Sequence, residues 1–261
     1  MKRLLFTIIT PSFNSQQTIE RTIKSVLSQD FLDYEYIIID GKSTDRTCDI
    51  IKSYEPLFNG RLSWISENDK GIYDAFNKGI SKASGRYVWI VNSDDYMEPD
   101  ALSHIAELIT EQCGIKEYII SGALNFMSTE GKLLHTSKSN WDNCQKMYRT
   151  GGMGITHPAT IVPKSVYDRV GLYCDRFKII GDIDWFHRAF SANEDFLFTD
   201  IVLTNMSDGG VSNLFDYKRS SRDRWLFLIR RYNNTFIRVY RFAKWTIYFY
   251  KLKWKSKQHG K

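Results

Sequence analysis

Apolar runs of strand length alternate with helical patterns along the first 115 residues. Four runs are rich in Ile, Val and aromatic residues, namely 3–10, 34–40, 61–66 and 86–91. Helical patterns occupy residues 16–29, 49–53, 70–83 and 100–112. Buried parallel strands form continuous apolar runs, and helices between them cover the sheet. The order predicts an α/β fold with a mostly parallel central sheet, in which Pro11 ends the first strand and Ser43 or Thr44 caps the second helix.

The pattern changes after about residue 115. Residues 118–127 and 131–138 predict an antiparallel pair of strands. A short helix at 164–170 and a longer one that begins near Asp182 follow. No linker rich in Gly, Ser or Pro interrupts this half before about residue 212. We therefore expect one domain over residues 1–212, with halves 1–115 and 116–212, and a tail over residues 213–261.

The tail combines an aromatic stripe with a strong positive charge. Apolar positions three or four residues apart predict one long amphipathic helix: Trp225, Ile229, Tyr232, Phe236, Tyr240, Ala243, Ile247, Tyr250 and Trp254. From residue 218 to 261 there are 14 basic residues and one acid, whereas residues 1–217 carry 22 basic and 29 acidic residues. No stretch approaches the ~20 apolar residues of a membrane span, so the helix fits an anionic membrane surface. The alternatives are packing on the body or on a second copy, as a homodimer; the acidic body argues against nucleic acid.

Composition and cysteine spacing indicate the compartment. The chain is 43% hydrophobic and 25% charged, as in soluble globular proteins. Its four cysteines, which are Cys48, Cys113, Cys144 and Cys174, form no CxxC pair and fit free thiols in a reducing compartment. The N-terminus resembles a signal peptide only over LLFTII, and no cleavage pattern follows. We expect a cytoplasmic protein, peripheral at the inner face of the plasma membrane.

Acidic and hydroxyl side chains follow the predicted strands where each strand ends. These ends share one rim of a parallel sheet, and ligands bind outside it. The rim residues are Thr10, Pro11, Ser12, Asp40, Gly41, Ser66, Glu67, Asn92, Ser93, Asp94 and Asp95. The adjacent carboxylates of Asp94 and Asp95 suit Mg²⁺ or Mn²⁺ beside a substrate phosphate, although a polar turn also accommodates them. The chain lacks GxGxxG after the first strand and GxxxxGK[ST] anywhere, which disfavours a dinucleotide site and a P-loop.

Several spaced motifs carry a family resemblance. They are TPSFN at 10–14, IIIDGKSTDRT at 37–47, SENDKGIYDAFNKG at 66–79 and VNSDDY at 91–96. Together with GITHPATIVPKSVYDRVGLY and IIGDIDWFHRAF further on, they resemble family 2 glycosyltransferases of GT-A fold, especially the bacterial ones that build capsule, O-antigen or exopolysaccharide. The resemblance covers roughly residues 4–212. It implies a UDP- or GDP-sugar donor, Mn²⁺ or Mg²⁺ on its diphosphate, and transfer with inversion to a lipid-linked or saccharide acceptor.

The resemblance also implies roles for individual residues. Those expected at the donor are Thr10, Pro11, Ser12, Asp40, Glu67, Asp69, Asp74, Asn77, Asn92, Ser93 and Asp94. Asp40 would accept a hydrogen bond from the nucleotide base. The expected metal ligands are Asp94, Asp95 and His157. Many relatives carry an acid where this chain has Asn92, which leaves open which of the two aspartates touches the metal.

The catalytic base is implied by an acidic motif at the start of a helix. Relatives usually have Glu-Asp where this chain has Gly181 and Asp182, so Asp182 takes the role of base, with Asp184 as the second candidate. Trp185 is expected near the acceptor sugar, or else in the core. Residues 209–212 (GGVS) resemble a loop that closes over the donor in relatives.

Two other function classes compete with sugar transfer. A nucleotidyltransferase acting on sugar phosphates needs a Gly-rich, basic loop after the first strand, and TPSFNSQQ has neither feature. A non-catalytic, membrane-associated protein that binds sugar nucleotides would not need Asp94, Asp95 and Asp182 together.

Overall fold

A computed structural model describes residues 4–113, 116–152, 154–207 and 217–259. Its first half contains the predicted parallel strands, which are β1 Phe6–Ser12, β2 Tyr34–Asp40, β3 Leu62–Ser66 and β4 Tyr87–Ile90. They lie side by side in the order β3-β2-β1-β4, and every neighbouring pair is parallel. The connecting helices are α1 Ile19–Leu27, α2 Thr47–Tyr54 and α3 Ile72–Lys82. After the short β5 Tyr96–Met97 comes α4 Ala101–Leu108.

The second half extends the same sheet with strands of mixed direction. These strands are β6 Ile119–Met127, β7 Leu133–Ser137, β8 Thr160–Pro163 and β9 Phe196–Ser207. β8 joins β4 antiparallel, and the sheet continues through β6 and β9 to β5. β7 pairs antiparallel with β6, which confirms the predicted hairpin. The helices are α5 Trp141–Thr150, α6 Lys164–Val170 and α7 Gly181–Ser191.

Apolar layers cover both faces of the sheet, which confirms the predicted α/β class. On one face, Ile8 and Trp89 pack with residues of α1 and α4. On the other face, Ile9 packs with Phe76 of α3 and Trp185 of α7. Because successive strand residues point to opposite faces, neighbours such as Ile8 and Ile9 serve different layers. The rigid sheet fixes the rim on which its strand ends lie.

The first strand continues through Pro11, contrary to the prediction that it ends there. Pro11 lies opposite Ile39 of β2, and the pairing extends to Ser12. β4 pairs with β1 only as far as Ile9, so Pro11 has a strand neighbour on one side only. A residue that cannot donate its own N–H is tolerated at such a position.

The prediction that Ser43 or Thr44 caps α2 is wrong. The Ser43 hydroxyl donates to Asp40, and the Thr44 N–H donates to Asn14 Oδ1 over 2.9 Å. Arg46 lies at the N-cap position, and Asp45 before it accepts through Oδ1 from the N–H of Thr47, the first residue of α2. An acid in front of a helix also favours the positive end of the helix dipole.

The described part of the tail, residues 217–259, forms two helices and not the predicted single one. α8 spans Tyr217–Arg231 and α9 spans Thr235–His259. Asparagines at 233 and 234 separate them, and Asn234 Oδ1 accepts from the N–H of Ile237 in the first turn of α9. Asparagine favours helix starts over helix interiors, which explains the break.

The two tail helices have different environments. Phe227 and Leu228 of α8 are buried in the apolar layer that contains Trp185, so α8 packs on the body of the protein. In contrast, most of the predicted stripe is exposed along α9, and Phe236 is 87% exposed. Among the described residues, no helix is both long and apolar enough to cross a bilayer.

Candidate active site

Hydrogen bonds join the strand ends into one polar rim. The Ser12 hydroxyl, at the end of β1, donates to Asp40 at the end of β2 over 3.1 Å. Ser66, at the end of β3, donates to the same carboxylate over 2.6 Å. The hydroxyls of Ser15 and Ser93 lie 2.8 Å apart and connect the β1 side with the turn after β4. The sheet therefore brings together the segments that the sequence placed on this rim.

Asp40 lies at the centre of these hydrogen bonds, and its carboxylate oxygens already accept from several donors. It is fully buried, and the Ser43 N–H and hydroxyl and the Cys48 thiol also donate to it. Burial raises the pKa of Asp40, but the hydrogen bonds from Ser43 and Ser66 outweigh it and lower the pKa overall. With its oxygens occupied in this way, the carboxylate orients the surrounding hydroxyls. The expected contact with the nucleotide base would require one of these donors to turn away.

Asp69 lies against the backbone at the end of β2. Its Oδ1 accepts from the Gly71 N–H, and a Cβ placed on Gly41 would lie only 2.5 Å from its Oδ2. Glycine at 41 therefore permits this approach. The Phe13 ring borders the same point and is 62% exposed. Sequence reasoning missed Phe13, although an aromatic residue in the polar segment after a strand end was a usable signal.

Three expected donor-site residues are engaged with other parts of the protein. Lys78 Nζ pairs with Glu67 over 3.0 Å and with Asp74 over 3.5 Å. Asn77 donates to the Tyr173 carbonyl and accepts from the Tyr173 N–H. Both polar atoms of Asn77 therefore connect α3 to the segment before α7. This geometry assigns Asn77 a structural contact in place of the expected donor contact.

The turn after β4 places two carboxylates beside the amide of Asn92. Asn92 Nδ2 donates to Asp95 Oδ2 over 3.0 Å, and the Asp95 N–H donates to the Asn92 carbonyl. Arg21 donates to the Asp94 carbonyl and to the Ser207 hydroxyl, which connects the turn to the end of β9. Burial raises the pKa of Asp94, and burial together with the Asp94 charge raises the pKa of Asp95. We call Asn92 to Asp95 the acidic corner.

The acidic corner fits a hard cation. Its buried carboxylate next to a second carboxylate is a costly arrangement that a positive charge would relieve. The Asn92 Oδ1 atom is buried and has no hydrogen-bond partner in the described structure. Carboxylate and amide oxygens are the ligands that Mg²⁺ and Mn²⁺ accept. Asp94, Asp95 and Asn92 could hold such an ion together with donor phosphate oxygens.

His157 does not join the acidic corner. No group of three or more His, Cys, Asp or Glu side chains suited to a metal occurs among the described residues. The His157 ring packs against Phe76 and Phe186, and its Nε2 lies 3.3 Å from the Tyr173 hydroxyl. Burial lowers the pKa of His157 to about 4, so the ring is neutral in its aromatic surroundings. The structure thus corrects the expected metal contact of His157 to a core position.

Asp182 lies in the first turn of α7, beside Tyr73 of α3. Its Oδ1 accepts from the Ile183 N–H over 2.9 Å and lies 3.3 Å from the Tyr73 hydroxyl. The side chain is half-buried. Burial raises the pKa of Asp182 to about 6, against the lowering effect of these hydrogen bonds. A carboxylate with a raised pKa is a stronger proton acceptor than an ordinary aspartate.

The other two candidates near Asp182 make structural contacts. Asp184 is buried and forms ion pairs with Arg188 over 3.1 Å and with Arg230 over 2.9 Å. Trp185 is fully buried, stacks on Tyr173, and donates its indole N–H to the Gly171 carbonyl. The expectation that Trp185 meets the acceptor sugar is therefore wrong, and its core alternative holds. The predicted loop at 209–212 lies outside the described residues.

Comparison with known proteins identifies the family. The family model "Glycosyl transferase family 2" matches residues 7–170, which is more than half of the chain. The chain belongs to this family. It is 28% identical over 214 residues to a PGL/p-HBAD biosynthesis glycosyltransferase of Mycobacterium bovis, covering 80% of this chain and 79% of that protein. It is 39% identical over 108 residues to the putative teichuronic acid biosynthesis glycosyltransferase TuaG of Bacillus subtilis, covering 41% and 43%. The predicted resemblance to surface-polysaccharide transferases is confirmed.

Solved structures confirm the GT-A fold. Residues 1–349 of S. aureus TarS, in complex with UDP-GlcNAc, superpose with a TM-score of 0.69 at 20% identity, covering 91% of this chain and 69% of that one. The chain spans 41% of a longer TarS structure. The mannosyltransferase PcManGT from Pyrobaculum calidifontis, in complex with GDP-Man and Mn²⁺, gives a TM-score of 0.59 at 15% identity, covering 88% and 64%.

Proposed function

We propose that this glycosyltransferase transfers a sugar, with inversion and with Mn²⁺ or Mg²⁺, from a nucleotide-diphosphate donor to an acceptor hydroxyl. The acceptor is a lipid-linked or growing surface saccharide. Two acidic groups support the proposal: the buried carboxylates of the acidic corner suit the donor's cation, and Asp182, with its raised pKa, suits proton removal. The nucleotides bound by TarS and PcManGT support UDP or GDP as the donor nucleotide.

The chemical step divides between the two acidic groups. The acceptor oxygen attacks the anomeric carbon of the donor sugar from the face opposite the diphosphate. The bond from that carbon to the phosphate oxygen breaks, and the nucleoside diphosphate leaves with the electron pair. Asp182 takes the proton of the attacking hydroxyl. A divalent ion held by Asp94 and Asp95 would neutralise the charge that develops on the diphosphate.

Donor binding uses the rest of the rim. The exposed Phe13 ring offers a face on which a nucleotide base can stack. The hydroxyls that donate to Asp40 lie along the same rim, and their oxygens could accept hydrogen bonds from ribose hydroxyls. Thr10, Pro11 and Ser12 form its floor at the end of β1. In this arrangement Asp40 supports the pocket by holding its hydroxyls in place.

Product analysis with the full chain tests this function. The protein is incubated with UDP- and GDP-sugars, with Mn²⁺, with Mg²⁺ or with EDTA, and release of the nucleoside diphosphate is measured together with thermal stabilisation. We expect release and stabilisation with one nucleotide class and only with the metal. Full activity in EDTA would refute the metal requirement. A transferred sugar that keeps the donor's anomeric configuration would refute inversion.

We also propose that α9 holds the enzyme peripherally at the cytoplasmic face of an anionic membrane. Its exposed residues include Phe236, Tyr240, Ile247 and Trp254, and its sequence carries basic residues without an acid. Aromatic rings enter the interface while each nearby Lys or Arg adds about 1 kcal/mol of attraction to anionic lipid. A surface-bound enzyme would meet a lipid-linked acceptor directly.

Vesicle binding separates the possible partners of α9. We expect Phe236→Ser with Tyr240→Ser to weaken binding to anionic vesicles, while Leu133→Ser with Leu134→Ser, on the exposed β7, leaves it unchanged. Binding that survives the α9 changes would contradict the membrane proposal. A dimer that dissociates on the α9 changes would identify a second copy as the partner, and preferential binding of single-stranded nucleic acid would identify that class.

A further inference from the structure

Three consecutive backbone N–H groups in front of α7 converge on one carboxylate of the tail. Those of Lys178, Ile179 and Ile180 donate to Asp223 Oδ2 over 2.8, 2.6 and 3.3 Å. Asp223 lies on α8 and is fully buried. Successive amides that point at one anion form a nest, which the anion stabilises. The irregular segment 178–180 therefore takes its shape from α8.

The same segment determines where Asp182 lies. The Tyr73 hydroxyl donates to the Ile179 carbonyl over 2.6 Å and lies beside the Asp182 carboxylate. A Cβ on Gly181 would lie 2.8 Å from the Tyr73 ring, so the ring packs directly against the turn. The turn that carries Asp182 is thus held between Tyr73 of α3 and Asp223 of α8.

Other contacts fix α8 on the body of the protein. Arg230 pairs with Asp184 of α7, and Arg224 donates to the carbonyls of Gly151 and Thr150. These contacts hold α8 independently of the nest. Asp223 is the single acid among residues 218–261, yet its described hydrogen bonds come from the backbone of another segment. Burying a carboxylate is costly, and the three amides offset that cost at Oδ2, whereas Oδ1 is buried without a hydrogen-bond partner among the described residues.

We propose that Asp223 is a positioning residue for sugar transfer, because its carboxylate holds segment 178–180 in the shape that presents Asp182 to the acceptor hydroxyl. This inference rests on the proposed role of Asp182 as the base. Asp223 acts through the backbone and does not contact the substrate. It lies beyond the residues 7–170 that the family model matches.

The charge of Asp223 supports the same conclusion. The titratable groups that face Asp182 are Tyr73 from α3, Tyr173 from the segment before α7, and Asp223 from α8. Burial is the main reason that the pKa of Asp182 is raised, and the Asp223 carboxylate raises it further. Removing that charge should lower the pKa of Asp182, so the base should stay ionised to a lower pH.

The test uses Asp223→Asn in the full chain, because the amide keeps the size of the side chain and one acceptor oxygen but removes the charge. We expect kcat to fall about tenfold or more, since a misplaced base loses its alignment, while KM for the donor stays within about twofold. The acidic limb of the kcat–pH profile should move to lower pH. Hydrogen exchange of a peptide covering residues 176–183 should accelerate, with α1 to α4 unchanged.

Two further variants keep the inference falsifiable. Arg224→Gln weakens another anchor of α8 without touching the nest, and should lower Tm while leaving the kcat–pH profile in place. Tyr73→Phe removes the opposite support and should lower kcat without affecting vesicle binding. If Asp223→Asn and Arg224→Gln lose kcat equally, in proportion to their losses in Tm, the positioning role would be overturned. Wild-type protein without sugar transfer would refute the proposed function, whereas wild-type exchange rates at residues 176–183 in Asp223→Asn would refute only this inference.

Discussion

The acidic corner and the turn that carries Asp182 each hold a carboxylate in place, but different parts of the chain support them. Each presents a carboxylate whose pKa burial has raised, one in the turn after β4 and the other in the first turn of α7. The acidic corner is supported by Asn92, by Arg21 of the helix that follows β1 and by Ser207 at the end of β9. The Asp182 turn is supported by α3 and by Asp223 of the tail. The proposed metal-binding corner therefore depends on contacts within the body of the protein, whereas the placement of the proposed base also depends on the tail helix α8.

The largest effect should come from the base. Asp182→Asn should lower kcat by about 10²–10⁴-fold, because no group then removes the acceptor's proton. Metal-dependent donor binding, measured by calorimetry with the nucleoside diphosphate, should remain. Asp175→Asn, a partly exposed acid of the same segment, is the matched control and should keep kcat. Loss of donor binding in Asp182→Asn would instead assign Asp182 to the donor site.

Changes in the acidic corner should instead remove the metal-dependent binding of the donor. Asp94→Ala with Asp95→Ala should reduce donor binding in Mn²⁺ to the level seen in EDTA, because the ion then lacks its carboxylates. Asp100→Asn, on the exposed turn before α4, serves as the control. If the double variant still binds donor more tightly with Mn²⁺, the cation lies elsewhere.

Replacement of Phe13 should affect only the binding of the donor. Phe13→Ala removes a face for base stacking, an interaction worth about 1–3 kcal/mol per base, so the donor Kd should rise roughly tenfold. The comparably exposed Leu32→Ala should leave Kd unchanged. An unchanged Kd in Phe13→Ala would place the base on another part of the rim.

The smallest effect should be a change in thermal stability when Asp95 of the acidic corner is replaced. The pKa of Asp95 is raised in the folded protein, so without metal its contribution to stability is lost as pH rises from the ordinary value of an aspartate toward the raised one. Asp95→Asn should therefore raise Tm at neutral pH in EDTA, by about 2–4 °C per kcal/mol in a chain of this size. With Mn²⁺ the order of the two Tm values should reverse, so that wild type is more stable than Asp95→Asn. A variant less stable than wild type in EDTA would contradict the proposed cost of this carboxylate.

The two regions also differ in how far sequence predicts them. The strand-end rule placed Asp40, Asp94 and Asp95 on one rim because these positions follow from the order of strands along the chain. It could not show that Asp40 is saturated by hydroxyls, since Ser12 and Ser66 reach it from other strands.

Contacts between distant segments account for the failures. His157 looked available for metal in sequence, but Phe76, Tyr173 and Phe186 enclose it from three other segments. The spacing of Asp74 and Asn77 predicted one helical face correctly, yet not that Tyr173 would occupy the amide of Asn77.

The tail shows the same limit. The three-and-four spacing predicted an amphipathic helix, and its aromatic stripe is exposed along α9. The spacing of Phe227 and Leu228 did not reveal that α8 completes the core, because their partners lie on α7 and in the preceding segments. In sequence, Asp223 stands out only as the single acid of a basic segment.

The nest at Asp223 also has a consequence for biosynthesis. The four parallel strands and their helices lie within the first 113 residues, so a growing chain can assemble the donor half early. Segment 178–180 must wait until residue 223 has left the ribosome, and α9 follows within a few dozen residues. With the proposed roles, the base would become aligned only after α8 has been made, so the acceptor side of the active site would mature later than the parallel strands.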